Sequence, residues 1–574
     1  MLTTIYKNIP HAFKLKAIWV LLLLLLGSIL DILGIGVLIP LFKILFDDSF
    51  YIKINQYNSS LTKNDIIVIM CLAILLLYLF KNILGLFIEK FKNKFVFNLF
   101  EKYSLNILNS YIEKGLIWFN SINSTILFKN IYLIPLYFST NIVLVILTLL
   151  SETIVISVLI LGLIYTNTVV FLLLTSIIIP VLFLYFRLSK RKTNNIGKDL
   201  DRLAPKVHQA INDIIFGFLD MKIYQKEKTF KNKYIKLMSQ FSDLNITKQY
   251  LMIFPSKLTD FVIVASIIGI VIYGNYYNIP SSNIMTLLLT FGLVAMRTIP
   301  SINKISTAIM SIRSYSYTID EINLNYKDMH QNPHPSVSQN NDLFFSKSII
   351  LSNVKFKYST NKSILKGIDL EIKKGSTMGI MGESGSGKTT LISVIAQLYR
   401  QSSGEVIVDN IPITDQNKIA WQKHIGYVSQ NIFIMNDSLK KNISFGDKQI
   451  DEHRFKKSIK DAALTDLIEQ NSDNYDMLLK ENGTNLSGGQ RQRVGIARAL
   501  YSGASVFIFD EATSALDSKT EKEIMDSIKL LSNSGYTVII VTHRITTLAN
   551  CDEIIKIESG KIIGKYKYRE LIKQ

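Results

Sequence analysis

The stretch GESGSGKT, residues 382–389, fits the pattern G-x-x-x-x-G-K-[ST]. The apolar run at 377–381 before it indicates a strand, and 391–398 after it indicates a helix. Glycines let backbone N–H groups wrap phosphate oxygens, and the N-terminus of the following helix favours the same anion. The sequence therefore predicts a phosphate-binding loop, with Lys388 at the β- and γ-phosphates and the Thr389 hydroxyl on Mg²⁺.

A second stretch, VFIFDE at 506–511, is an apolar strand that ends in two acids. Phosphate chemistry needs a Mg²⁺ ligand and a base that positions water, and Asp510 and Glu511 suit these roles respectively. The alternative is a simple helix start, because small and hydroxyl residues follow at 512–514.

The stretch LSGGQ, residues 486–490, resembles the signature sequence of the ABC transporter family. Other segments resemble further motifs of that family in chain order: Tyr358 the aromatic residue that stacks on adenine, Gln430 the glutamine that senses the γ-phosphate, ENG at 481–483 a short loop of exporters, SALD at 514–517 the loop that crosses the dimer, and His543 the switch histidine. Taken singly, His543 is as readily a surface residue and Tyr358 a strand residue.

The resemblance implies an ATP site with the following members: Tyr358, Gly382, Glu383, Ser384, Gly385, Ser386, Gly387, Lys388, Thr389, Thr390, Ser487, Gly488, Gly489, Gln490 and Asp517. It implies catalytic roles for Glu511, His543 and Gln430, and Mg²⁺ ligation by Thr389, Gln430 and Asp510. In the family, the signature helix of one subunit caps the ATP held by the other, as a helix N-terminus favours. This chain carries one ATPase half, so we expect a homodimer, or a heterodimer with a related chain.

The N-terminal half has the composition of a membrane domain. Hydrophobic residues make up 48% of the 574 residues, and the mean hydropathy is +0.26. Six apolar segments approach or exceed the roughly 20 residues that a spanning helix needs: 17–41, 66–88, 141–164, 169–186, 261–278 and 284–309. We expect a transmembrane domain of six helices with long cytoplasmic helical extensions over 1–324, a linker over 325–345, and an α/β ABC nucleotide-binding domain over 346–574.

The formal charge of +19 has a membrane explanation. Lysine and arginine concentrate between spans two and three and between spans four and five, so the positive-inside rule places these loops and both termini in the cytoplasm. We therefore expect a multi-pass protein of the bacterial cytoplasmic membrane that binds no nucleic acid. Segments 118–122 and 217–224, in the two long loops, resemble the coupling segments of family exporters, although ordinary helix packing is the alternative.

Charged residues inside the spans give a prediction about cargo. Arg297 and Lys304 lie about two turns apart in the sixth span and could present cations to an anionic cargo. Asp31, Glu152 and Asp260 are the alternative, structural partners for these cations.

The stretches DILGIGVLIP at 31–40 and RTIPSINK at 297–304 resemble the first and sixth spans of bacterial flippases for lipid-linked oligosaccharides. Segment 49–60 matches the place of their short external helix. The resemblance implies ATP-driven flipping of a polyprenyl-diphosphate glycan or a similar glycolipid. Export of a peptide or another lipid is the alternative, and a channel or regulatory ATPase is a more remote one. The six apolar segments argue against a soluble ABC ATPase that acts on nucleic acid or ribosomes.

Overall fold

The computed structural model describes residues 9–38, 40–41, 44, 62–166, 168–277, 281–331, 343–358, 363–470, 474–512 and 518–572. The chain divides into two compact units. One comprises Met1–Lys114 and Trp118–Pro333, and the other comprises Gly115–Ile117 and His334–Gln574.

The N-terminal half is helical wherever it is described. Its helices are α1 (His11–Gly36), α2 (Lys63–Glu113), α3 (Gly115–Ser121), α4 (Ser124–Phe128), α5 (Ile134–Phe138), α6 (Leu144–Thr166), α7 (Thr168–Phe216), α8 (Phe218–Ile223), α9 (Glu227–Tyr276), α10 (Ser281–Ser314) and α11 (Tyr317–Gln331). Two π-helical turns, Lys129–Leu133 and Ser139–Val143, join α4, α5 and α6 into one long helix. Within the first unit, α10 packs against α6, α7 and α9, and α1 packs against α2 and α6.

Four of the described helical stretches are long and apolar enough to cross a membrane: His11–Gly34, Lys63–Glu113, Ser124–Leu161 and Glu227–Tyr276. The predicted fourth and sixth spans fall in α7 and α10, where several side chains lie outside the described residues. The apolar window of α2 is only 6% buried, as a lipid-facing surface requires. Its 51 residues extend about 76 Å, well beyond a hydrocarbon core of about 30 Å.

Two predicted segments lie wholly or partly outside the described residues. The predicted external helix at 49–60 lies outside them. The segment that we predicted as a linker begins at 325, yet α11 continues to Gln331. Polar residues such as those at 325–331 are compatible with a helix on its exposed side, and the first helix-breaking residue is Pro333.

The C-terminal half is an α/β domain, as the resemblance implies. Its strands are β1 (Ser348–Lys357), β2 (Ser363–Lys373), β3 (Thr377–Met381), β4 (Ser403–Val408), β5 (Ile411–Pro412), β6 (Ile425–Val428), β7 (Val506–Asp510), β8 (Thr537–Val541), β9 (Glu553–Glu558) and β10 (Lys561–Tyr566). The helices used below are α12 (Lys388–Ile395) and α13 (Gly488–Tyr501). An antiparallel sheet has the order β2-β1-β4-β5, and a six-stranded sheet has the order β10-β9-β3-β8-β7-β6.

The six-stranded sheet positions the site. Strands β3, β8, β7 and β6 are parallel neighbours, and β7 and β8 are buried along their whole length, which explains their unbroken apolar sequences. Val541 pairs with both Ile380 and Asp510, so the ends of β3, β8 and β7 lie at one level. Loops that follow these strands therefore meet at the carboxyl edge of the sheet.

Candidate functional site

The predicted phosphate loop joins β3 to α12 in the predicted strand–loop–helix context. Gly387 caps α12 with a φ of +108°, a conformation that glycine adopts without strain. A Cβ on Gly382 would lie 2.2 Å from the carbonyl oxygen of Ile557, so this position also needs glycine. The glycines thus allow a backbone path that side chains would block.

The loop has polar groups suited to a phosphate. Lys388 Nζ donates to the carbonyl oxygens of Gly382 at 2.9 Å and of Glu383 at 2.8 Å. Burial lowers the pKa of Lys388, while the nearby carboxylates of Glu511 and Asp510 oppose the shift. Ser386 Oγ is buried without a hydrogen-bond partner in the described part of the chain. An orphaned hydroxyl beside a lysine at a helix N-terminus fits a nucleotide's phosphates.

The two acids lie at the end of β7. Asp510 is 9% exposed and accepts a hydrogen bond from the Tyr427 hydroxyl at 2.8 Å. Burial raises the pKa of Asp510, and the Tyr427 hydrogen bond opposes this shift. Asp510 and the exposed Thr389 offer oxygen ligands of the kind that Mg²⁺ prefers. Phosphate oxygens of a nucleotide would add further ligands of the same kind.

Glu511 leaves the strand with a φ of +50°, and its N–H donates to the Val541 carbonyl at 2.9 Å. Its Oε1 lies 2.7 Å from His543 Nε2 in the loop after β8. A residue other than glycine held at positive φ stores strain, and such positions concentrate at functional sites. Here the unusual backbone directs the carboxylate to the histidine, which makes the two side chains one unit.

The other residues predicted for the ATP site do not all lie at this sheet edge. Gln430 follows β6 and is exposed at the same sheet edge, and its carbonyl accepts from Gln492. Tyr358 follows β1, is 36% exposed, and contacts the Phe356 and Tyr399 rings edge-on. Asp517 lies outside the described residues.

The predicted signature segment begins helix α13. Ser487 Oγ accepts from the Gln490 N–H at 3.2 Å, and Gln490 Oε1 accepts from the Ser487 N–H at 2.8 Å. This reciprocal capping box leaves Ser487 exposed on the surface of the domain. Arg491 also donates to the Gly483 carbonyl, which ties the exporter-type loop at 481–483 to the signature helix.

Comparisons with known proteins agree with this domain assignment. The family model described as "ABC transporter" matches residues 365–514. Residues 365–514 therefore form an ABC transporter domain.

Curated relatives extend the match beyond the ATPase domain. The heterocyst differentiation ATP-binding protein HepA of Nostoc sp. is 36% identical over 290 residues, or 50% of this chain and 47% of that protein. An ATP-dependent lipid A-core flippase of Francisella tularensis is 28% identical over 416 residues, or 69% of this chain and 65% of that protein. The alignments thus span less than two thirds of these relatives.

The fold of the whole chain is similar to that of a solved exporter. The solved structure of a bacterial Atm1-family ABC exporter with ATP bound matches it with a TM-score of 0.75. The match covers 98% of this chain and 97% of the other at 19% sequence identity. It therefore confirms the predicted fold class, six helical spans fused to an ABC ATPase domain.

The helical half of the chain contains a cluster of charges that we name the intramembrane charge cluster. Its members are Asp31 on α1, Lys81 on α2, Glu152 on α6, and Arg297 and Lys304 on α10. Asp31 pairs with Lys81 at 2.9 Å and with Arg297 at 2.6 Å. Glu152 lies 2.6 Å from Lys304 and 3.4 Å from Arg297, and it also accepts from Ser301 at 2.6 Å.

This geometry helps to decide whether Arg297 and Lys304 bind an anionic cargo or form structural ion pairs. Asp31 and Glu152, two of the three acids considered as partners, hold the α10 cations, whereas Asp260 lies 3.7 Å from Lys257 on its own helix. The Arg297 side chain is 15% exposed, but that of Lys304 is 52% exposed. Arg297 therefore has the environment of a structural ion pair, and Lys304 is the more accessible cation.

Several contacts in these sites could not be predicted from motifs or spacing. The Tyr427 hydroxyl that holds Asp510 and the unpartnered Ser386 hydroxyl are not part of any spacing pattern. Lys81 on α2 also pairs with Asp31 on α1, at 2.9 Å. The presence of an acid and a base in two different spans was the available signal.

Proposed function

We propose that the chain is one half of an ATP-driven exporter or flippase that hydrolyses ATP at sites shared between two subunits. One observation supports this proposal most strongly. The phosphate loop, the acids Asp510 and Glu511, and His543 follow adjacent strands at one sheet edge, in a chain whose other half consists of long apolar helices.

Each residue of the ATP site has a proposed task. Lys388 leaves its carbonyl partners for the β- and γ-phosphates, and Thr389, Asp510 and Gln430 bind Mg²⁺, which neutralises charge on the phosphates. Glu511 orients the attacking water and accepts its proton. His543 holds the Glu511 carboxylate in place and approaches the γ-phosphate.

The assembly that follows is a dimer, most simply of two identical chains. The exposed N-terminus of α13 is available to cap a nucleotide held by a second subunit. Helices α3 and α8, at the positions of the predicted coupling segments, expose apolar side chains such as Phe119, Phe218 and Leu219. We propose that these helices transmit the ATPase cycle to the spans of a protein in the bacterial cytoplasmic membrane.

For the cargo we propose an anionic glycolipid, such as a lipid-linked oligosaccharide. The intramembrane charge cluster has three cations and two carboxylates, which leaves one positive charge in excess. Arg297 Nε is buried and has no hydrogen-bond acceptor in the described part of the chain. A phosphate-bearing head group would supply both the charge and the acceptor.

The relatives named as lipid A-core flippases favour a lipid cargo over the alternative, a peptide. Reconstituted protein in liposomes is expected to flip a fluorescent polyprenyl-diphosphate glycan when ATP is supplied, and not when a non-hydrolysable analogue replaces it. ATP-dependent movement of a peptide, without movement of any such lipid, would overturn the cargo assignment and leave the exporter assignment intact.

A further inference from the structure

A cavity of about 160 Å³ lies in the first unit, away from the intramembrane charge cluster. Its lining residues come from the π-helical turn at Lys129, α5, α7, α9, the end of α10 and the start of α11. Its residue Lys248 precedes the predicted fifth span at 261–278 by 13 positions, or about 20 Å of helix. The cavity therefore lies on the side of the spans predicted to be cytoplasmic.

One wall of the cavity holds a buried cation. Lys248 is 8% exposed, and its Nζ donates to the Tyr315 hydroxyl at 2.9 Å and lies 4.0 Å from the centre of that ring. Within the described residues, no carboxylate lies within ion-pair distance of Lys248. Tyrosine offers a partial compensation through its ring and oxygen but carries no charge. A buried ammonium without a counter-ion is unfavourable, so this wall favours an anion.

Elsewhere around the cavity, two carboxylates surround a single lysine. Lys129 Nζ lies 2.7 Å from Asp201 Oδ1 and 3.8 Å from Glu321 Oε1. These carboxylates would repel a ligand of high negative charge, because a like charge in a poorly solvated cavity is unfavourable. Lys248, which has no carboxylate partner in the described part of the chain, is therefore the group that can compensate one negative charge.

A second, independent observation is Ser314 at the end of α10. Its side chain is 2% exposed and lines the cavity, and its Oγ has no hydrogen-bond partner among the described residues. The close crossing of α7 and α10 holds it there, since a Cβ on Gly197 would lie 2.0 Å from the Ser314 carbonyl oxygen. A buried hydroxyl that nothing satisfies indicates a missing polar partner.

We propose that this cavity binds a small organic monoanion, with its oxyanion on Lys248 and Ser314 and its body against the tyrosine rings. Tyr137 and Tyr315 lie 5.2 Å apart between centroids and give the cavity an aromatic wall. The volume is close to that of a cavity that holds one benzene molecule, about 150 Å³. A carboxylate on a ring-sized body and a phosphodiester lipid head group share this chemistry. The site is separate from the ATP site and the proposed cargo cluster.

The test uses the purified full-length protein in detergent, with benzoate as the probe and benzamide as its neutral isostere. We expect saturable benzoate binding by calorimetry, a higher melting temperature at saturation, and no effect of benzamide. Lys248→Met should weaken benzoate binding at least tenfold. Lys257→Met is the matched control on the same helix, because its side chain is 75% exposed, and it should bind benzoate as the wild type does.

Ser314→Ala provides a second variant if Lys248→Met does not fold. It removes only the hydroxyl oxygen, adds no volume at this buried position, and should weaken benzoate binding severalfold. Equal effects of benzoate and benzamide, no saturable benzoate binding by the wild type, or full binding by both variants would overturn the proposal. Repetition in nanodiscs separates the two sources of the anion: competition by phosphatidylglycerol, but not by phosphatidylcholine, identifies a lipid head group, and no competition by either identifies a free anion.

Discussion

At the scale of single residues, Glu511 is the group whose chemistry can be tested most directly. We predict that Glu511→Gln lowers ATP turnover by about 10²-fold or more, because the amide cannot accept the proton of the attacking water. Nucleotide binding should persist, since the phosphate loop is unchanged. Steady-state turnover and retention of a fluorescent ATP analogue measure the two effects.

The control for this change is Glu371→Gln, an exposed glutamate on β2 of the antiparallel sheet. It makes the same chemical change away from the sheet edge and should leave turnover at the wild-type value. Near-normal turnover in Glu511→Gln would mean that another group is the base.

Arg297 allows a second prediction at this scale. Arg297→Ala removes the cation shared by Asp31 and Glu152 and leaves two poorly solvated carboxylates with less compensation. Breaking a buried ion pair from one side costs about 3–5 kcal/mol, so we expect a clearly lower melting temperature and yield. Asp31→Asn in the same chain should restore part of the loss.

Lys304→Ala is the comparison for Arg297→Ala, because the Lys304 side chain is half exposed and Arg297 remains beside Glu152. We expect it to melt close to the wild type and to lose cargo-stimulated turnover. A stable Arg297→Ala protein that flips no lipid would instead assign the cargo contact to Arg297 itself.

At the scale of elements, the crossing of α7 and α10 depends on one glycine. A Cβ at position 197 would lie 2.0 Å from a backbone oxygen of α10, which cannot move as a flexible side chain could. We predict that Gly197→Ala separates the helices and lowers the melting temperature, even though alanine favours helix more than glycine does. Gly269→Ala on α9 has no atom within 4 Å of the new Cβ and should be neutral or slightly stabilising. Equal melting temperatures for the two variants would contradict the close crossing.

At the scale of the whole molecule, the proposed shared site predicts complementation. Lys388→Ala disables the phosphate loop and Ser487→Arg disables the signature, so each homodimer should be inactive. A mixed dimer has one site with both defects and one intact site. Equal mixing and random exchange should therefore restore about one quarter of the wild-type sites. Full activity of either variant alone would refute a shared site.

The sequence by itself determined the kind of ATPase domain and the kind of fold. The motifs at 382–389, 486–490 and 506–511 require particular residue types at fixed spacing, because phosphate loops, signature helices and paired acids are local structures. Apolar segments of membrane length are equally local, since each spanning helix must satisfy its own backbone. For this reason the strand–loop–helix context and the exporter fold agree with the prediction.

Only the tertiary structure decided which distant side chains meet. Sequence placed charges in separate spans, but the packing of α1, α2, α6 and α10 selected Asp31 and Glu152 as partners and left Asp260 with Lys257. Likewise, Lys248 was one lysine among many in a basic loop, and Ser314 belonged to no motif. Their burial beside one cavity depends on how several helices pack, and long-range packing of this kind leaves no spacing in the sequence.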